Sequence, residues 1–216
     1  MKGYETDLWT EERRIFTQRG GILICGVDEA GAGPLAGPVY AAAVILPRDL
    51  ALPYLDDSKK LTERRRELLF PQIKEQAVAW SVATASAEEI DEINILNARM
   101  LAMERAISQL DPKADFALID GNCNRGITCP NETLVKGDSR SASIAAASIL
   151  AKVSRDRYML ELAEQYPQYQ FEKHKGYGTK LHYEMLEQYG PSPVHRKTFL
   201  KKFYEKRRGK APWRMG

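Results

Sequence analysis

Strand-type apolar runs that alternate with helical stretches, after an opening hairpin, predict an α/β layer fold with a mixed sheet. Residues 20 to 28 and 38 to 46 (Pro38-Val39-Tyr40-Ala41-Ala42-Ala43-Val44-Ile45-Leu46) read as two strands, and the glycine–proline stretch between them joins them as an antiparallel pair. Thr62 then caps a charged helix that Pro71 should kink or end. Val78 to Ala83 is a third strand. Ser86 and Glu89 have the spacing of a capping box and open a short helix. Leu96, Met100, Met103, Ile107 and Leu110 recur at steps of four and three, one apolar helical stripe that ends before Pro112. Phe116-Ala117-Leu118-Ile119 is a buried strand running into Asp120-Gly121, and Thr133-Leu134-Val135 is another, running into Lys136-Gly137-Asp138. A long Ala/Ser-rich helix follows from about Ser141 to Tyr166, and its Ala142, Ala145 and Ala146 would let it lie close on a sheet. A last helix from Thr179 stops at Gly190-Pro191.

The 216 residues suffice for one substantial domain, and no linker divides them. No apolar run approaches the ~20 residues of a membrane helix, and the first residues, MKGYETDLWTEERR, hold no apolar segment of signal type. A cytoplasmic protein is expected. Cys25, Cys123 and Cys129 lack the spacing of a zinc knuckle or redox pair and read as reduced thiols. His174, His182 and His195 are scattered, and no serine or cysteine has an evident base beside it, so triad chemistry is disfavoured. The net charge of +3 hides an asymmetry: from His195 onward nine Lys/Arg face one acid, giving +8, so the remainder carries 23 bases against 28 acids, or −5. A basic tail dotted with Phe199, Phe203, Tyr204 and Trp213 on an acidic body points to a polyanion partner.

Three strand-type runs each lead into acids: Asp28 and Glu29, Asp120, and Asp138. Any one acid could be an ordinary turn or cap residue. Sites gather at strand ends in open α/β sheets, and carboxylates brought within ~4–6 Å of one another raise each other's pKa unless a cation compensates. Nothing basic adjoins Asp28 or Asp120 in sequence, and oxygen ligands suit magnesium or manganese; two such ions flanking a phosphate could activate water and stabilise a leaving oxygen. Adjacent strand residues face opposite ways, so Asp28 and Glu29 are expected to share a site only if the strand breaks at Glu29, where Ala30-Gly31-Ala32-Gly33-Pro34 begins. The bare backbone of that stretch would let a ligand approach main-chain groups directly.

Val27-Asp28-Glu29-Ala30-Gly31, Gly33-Pro34-Leu35-Ala36-Gly37-Pro38-Val39, Asp57-Ser58-Lys59-Lys60-Leu61, Asp120-Gly121, Lys136-Gly137-Asp138, Ile144-Ala145-Ala146-Ala147-Ser148-Ile149, Ala151-Lys152-Val153, Arg155-Asp156, Lys175-Gly176-Tyr177-Gly178-Thr179 and His195-Arg196, in this order, closely resemble bacterial ribonuclease HII. The likeness runs from about Gly26 to Phe199. It implies a ribonuclease H-like fold, a five-stranded mixed sheet flanked by helices with a helical C-terminal extension. On this chain that gives residues 1–19 as an N-terminal segment, 20–190 as the catalytic domain and 191–216 as the basic extension. The implied activity is metal-dependent cleavage of the RNA strand of RNA·DNA hybrids and incision 5′ to single ribonucleotides in duplex DNA, leaving 3′-hydroxyl and 5′-phosphate ends, in DNA replication and repair.

Matched position by position, the resemblance makes Asp28, Glu29, Asp120 and Asp138 the catalytic and metal-binding acids for two divalent ions, Mn2+ or Mg2+, with Asp28 as the bridge. Gly31, Ala32 and Gly33 would contact the ribonucleotide's 2′-hydroxyl through main-chain atoms. Tyr177 would stack on the sugar, and Ser58 and Lys59 would hold phosphates. The partners implied are an RNA·DNA hybrid and a duplex with an embedded ribonucleotide, met by a monomer away from any membrane. One position departs: Ala32 stands where the family pattern has arginine. Related ribonuclease HIII, with an extra N-terminal substrate-binding domain, fits less well, since 27 residues precede Asp28. Two alternatives are another nuclease or resolvase of the same fold and a catalytically silent hybrid binder; the second gains nothing from acids facing phosphates.

Overall fold

A computed structural model describes residues 7–52, 55 and 61–207. Ser58 and Lys59 lie outside the described residues. Five strands, β1 (Ile24–Ala30), β2 (Val39–Ile45), β3 (Ala79–Ala85), β4 (Phe116–Asp120) and β5 (Asn131–Leu134), form one sheet in the order β3-β2-β1-β4-β5. The short Gly–Pro connection makes β2 antiparallel to β1, and β3 pairs antiparallel to β2. Helical crossovers make β4 parallel to β1, and β5 runs parallel to β4. The mixed five-stranded sheet is therefore the one expected.

Alternation along the central strands sorts the helices onto two faces. Cys25 and Val27 of β1, Ala41 and Ala43 of β2 and Ile119 of β4 are buried with α3 (Ala87–Ser108). Ala42 and Val44 point the other way, into a core shared with α2 (Glu63–Gln76) and α4 (Ala142–Gln165). The start of α4 lies so close on β1 that a Cβ at Gly26 would stand 2.1 Å from the Ile144 nitrogen and the Ser143 carbonyl carbon. Only glycine fits there, and Ala142, Ala145 and Ala146, all buried, continue the close approach. The remaining helices are α1 (Thr10–Arg19), α5 (Phe171–His174), α6 (Lys180–Tyr189) and α7 (Lys201–Arg207).

Several boundaries differ from expectation for identifiable reasons. Strand β1 does not break at Glu29: Glu29 pairs with Ala41 and Ala30 with Tyr40, and the chain turns only at Gly31, with φ of 92°. Pro71 does not end α2, which runs on to Gln76; Pro71 is exposed, so water can solvate the carbonyl that its missing N–H leaves unbonded. The capping box of Ser86 and Glu89 is present, but the short helix and the Met-rich one form a single element interrupted at Asn94, φ 66°. The Asn94 side chain accepts from the Asn97 amide at 3.2 Å and so caps the second half. Because the second half starts there, Leu96 is exposed while Met100, Met103, Ile107 and Leu110 are buried. Val135 is likewise exposed, one residue beyond β5. Helix α1 had no visible signature: its one buried apolar side chain is Ile15, and it is held by Glu12, whose carboxylate accepts from the Ser141 hydroxyl (2.6 Å) and the Ser143 amide (3.0 Å) at the start of α4.

Among the described residues no helix is long and apolar enough to cross a membrane.

Candidate active site

The register that joins β1 to β4 sets Val27 opposite Ile119, so the next residue of each parallel strand, Asp28 and Asp120, leaves the sheet at the same edge. Asp28, Glu29 and Asp120 line one cavity of about 270 Å3, together with residues 30–33, Arg66, Ser148, Lys152 and Tyr177. Asp28 and Glu29 reach it from opposite faces of an unbroken strand. Asp28 sits on the α4 face, buried, accepting from its neighbour's amide (Glu29 N, 2.7 Å) and bonded to Ser148. Glu29 sits on the α3 face, with Arg99 Nη2 2.7 Å from its Oε1.

Burial first, then the neighbouring Glu29 and Asp120 charges, push the Asp28 carboxyl well above its ordinary range, against the lowering effect of Ser148 and the Glu29 amide. Burial raises Glu29 as well, Arg99 opposes the rise, and Asp120 adds to it. Compensation by a side chain is thus present but incomplete. The Glu29 Oε2 atom is buried without a hydrogen-bond partner.

Asp120 Oδ1 accepts from the Gly137 amide at 2.6 Å, which ties β4 to the 3-10 turn Gly137–Ser139. Asp138 lies in that turn, 2% exposed, and it does not line the cavity of the other three acids. Among the described residues no three His, Cys, Asp or Glu side chains converge closely enough to share one ion. Glu29 pairs with Arg99, and Asp120 accepts from the Gly137 amide. The donor set still fits a hard cation, since an orphaned carboxylate oxygen and a buried acid of raised pKa are what a divalent ion would satisfy.

The turn after β1 is built for a bare backbone. A Cβ on Gly31 would stand 2.0 Å from Arg155 Nε, and its positive φ alone disfavours any side chain. Ala32 is half-buried and Gly33 exposed, both on the cavity wall. Tyr177 is 44% exposed at the same cavity, its ring centroid 5.7 Å from the Arg155 guanidinium carbon.

Sequence reasoning missed Arg99, Ser148, Lys152 and Arg66. Ser148 and Lys152 were detectable as polar residues continuing the sheet-facing stripe of α4 from Ser141 and Ala145; Lys152 pairs with Asp156 one turn on, at 2.6 Å. Arg99 gave no signal, being far from Glu29 in sequence. Arg196, counted among the charges of the basic tail, is fully buried, and its guanidinium is taken up by backbone carbonyls.

Comparison with known proteins agrees with this geometry. The family model described as ribonuclease HII matches residues 25–205. Ribonuclease HII of Endomicrobium trichonymphae is 58% identical over 187 residues, covering 86% of this chain and 89% of that protein. Ribonuclease HII of Caldicellulosiruptor bescii is 50% identical over 201 residues, covering 93% and 98%. Among solved structures, ribonuclease H2 from Pyrococcus horikoshii OT3 superposes with a TM-score of 0.70 at 28% identity, covering 87% of this chain and 99% of that one. A matched sheet, a shared carboxylate edge and relatives alike over nearly their whole length lead to one assignment: the chain belongs to the ribonuclease HII family and is a ribonuclease H-type hydrolase.

Proposed function

We propose that Asp28, Glu29, Asp120 and Asp138 hold two divalent cations, Mn2+ or Mg2+, with Asp28 between them, and that this site hydrolyses the RNA strand of RNA·DNA hybrids and incises 5′ to a single ribonucleotide in duplex DNA. The observation that carries the reading is that Asp28, Glu29 and Asp120 line one cavity, where burial first and then the Glu29 and Asp120 charges raise the Asp28 carboxyl. When bound, the ions would supply an activated water and stabilise the charge that develops on the leaving 3′ oxygen. The chain's own residues do the rest. Ser148 and the Glu29 amide fix the Asp28 carboxylate in one orientation. Lys152 and Arg66 place positive charge on the cavity wall, where a phosphate of the backbone would lie.

The Gly31-Ala32-Gly33 turn and Tyr177 are the sugar contacts. The carbonyls of Gly31 and Ala32 already accept from Arg196, so what the turn offers a 2′-hydroxyl is its N–H groups. Ser58 and Lys59 hold flanking phosphates. All four acids come from one chain, so the reading needs no second copy.

One gel tests it. A duplex with a single ribonucleotide is incubated with Mn2+, Mg2+ or chelator, for the parent and Asp28→Asn. Cleavage on the 5′ side of the ribonucleotide is expected with metal only and for the parent only. Cleavage that survives chelator or Asp28→Asn would overturn the assignment, and cutting of an all-DNA four-way junction would favour a resolvase.

A further inference from the structure

Two neighbouring residues, His195 and Arg196, take hold of both sugar-contacting elements from the protein interior. The Arg196 guanidinium is completely buried and spends its three nitrogens on main-chain oxygens: Nη2 donates to Gly31 O (2.7 Å), Nη1 to Ala32 O (3.0 Å) and Nε to Gly37 O (2.9 Å). These acceptors bracket the turn at both ends. His195 works in the other direction. Its Nε2 lies 3.0 Å from His182 Nε2, and His182 Nδ1 lies 3.0 Å from the Tyr177 carbonyl oxygen. That carbonyl can only accept, so His182 Nδ1 carries the hydrogen, His182 Nε2 accepts, and His195 Nε2 donates. His195 Nδ1 is then an acceptor, and the Ser192 amide donates to it at 3.0 Å. With Nδ1 an acceptor, the Ser192 hydroxyl donates to it as well, at 2.8 Å, and every ring nitrogen of the chain is partnered with one tautomer at each ring.

The backbone reinforces the same link. Arg196 N donates to Leu35 O (2.8 Å), Gly37 N to Val194 O (2.9 Å), and Leu35 N to Gly176 O (2.8 Å), which couples the turn to the residue before Tyr177.

We propose that His195 and Arg196 are specificity-positioning residues: together they fix the Gly31–Gly33 main chain relative to Tyr177, and so set how strongly the site prefers a ribonucleotide over a deoxyribonucleotide. The inference rests on the reading that the turn and Tyr177 touch the sugar. A single 2′-hydroxyl can be recognised only if donor and stacking ring stand at a fixed separation, and small misplacements in such sites are costly. Arginine is required because a planar fork reaches three carbonyls at once, whereas the single ammonium of lysine does not.

The test uses the full-length enzyme with Mn2+. KM for a duplex containing one ribonucleotide is compared with the inhibition constant of the same duplex in all-DNA form, for the parent, Arg196→Lys, His182→Phe and Tyr177→Ala. His182→Phe cuts the chain to Tyr177 while keeping a ring against Phe171. For Arg196→Lys and His182→Phe, KM should rise about tenfold or more, with the all-DNA constant, the kcat and the Mn2+ concentration for half-maximal activity little changed. A folded Arg196→Lys or His182→Phe with the parental ratio would overturn the proposal, and if Arg196→Lys does not fold, His182→Phe decides. If Tyr177→Ala lowers the ratio while both other variants keep it, the bracket fails and the contact reading stands. If Tyr177→Ala leaves the ratio untouched, the contact reading fails and the bracket falls with it.

Discussion

Ala32 occupies the cavity wall half-buried, with its carbonyl held by Arg196 and its side chain too short to reach a phosphate. Restoring an arginine there adds a charge-assisted contact without disturbing the main-chain donors, worth about 1.5–3 kcal/mol at most. Ala32→Arg should therefore lower KM about tenfold at low salt and less at high salt, and an unchanged KM across a salt series counts against the idea. Asp28 has the opposite character. It is a buried acid among acids, so in chelator its replacement by Asn should raise the melting temperature, each pK unit of relief being worth about 1.4 kcal/mol, while Mn2+ should no longer stabilise the variant. A lower melting temperature in chelator would show that Asp28 is compensated by other means. The positions of Asp28, Glu29 and Asp120 were legible because each acid closes an apolar run that forms a strand, whereas Asp138 falls in a 3-10 turn beyond β5, away from the cavity that the other three line. Their partners were not. Arg99 reaches Glu29 across the fold, and nothing local marks an arginine for a carboxylate 70 residues away.

At the level of elements, the strands and the long helix followed from period and composition, because the two-residue alternation of β3 and the alanines of α4 report burial directly. Where tertiary contacts decide, local signals fail. Helix α1 hangs on Glu12 and the start of α4, and α7 follows a segment whose Leu200 is buried among Phe171, Leu186 and Met159. That packing changes how the basic tail should be tested. A cut after Phe199 would remove a core residue as well as charge, so the cleaner truncation is after Arg207, which removes Arg208, Lys210 and Arg214. Every phosphate that a removed cation no longer neutralises reduces the salt slope by about 0.9, so hybrid affinity at low salt should fall and the slope should flatten by up to about 2.7, with Mn2+ binding intact. Identical slopes for the two chains would remove the tail from the interface.

For the molecule as a whole, the buried histidines set an acid limit. Desolvation, first among the causes, brings His182 down to about 4 and His195 to about 3. Unfolded histidine titrates near 6.5, so between that value and the folded ones the unfolded chain binds protons that the folded chain refuses. Stability is then fully present above about pH 6.5 and is lost as pH falls, by about 2 kcal/mol per histidine by pH 5. Urea unfolding at pH 7 and pH 5 should show this loss, and His182→Phe should lose measurably less; equal losses would place the acid sensitivity elsewhere. The same interlocking reaches the reaction centre through Gly26, where strand and helix backbones meet with no space for a methyl group. One added carbon would lever the helix outward and carry Ser148 off Asp28. The enzyme could thus be silenced from a position that no substrate approaches, with every acid still in the chain.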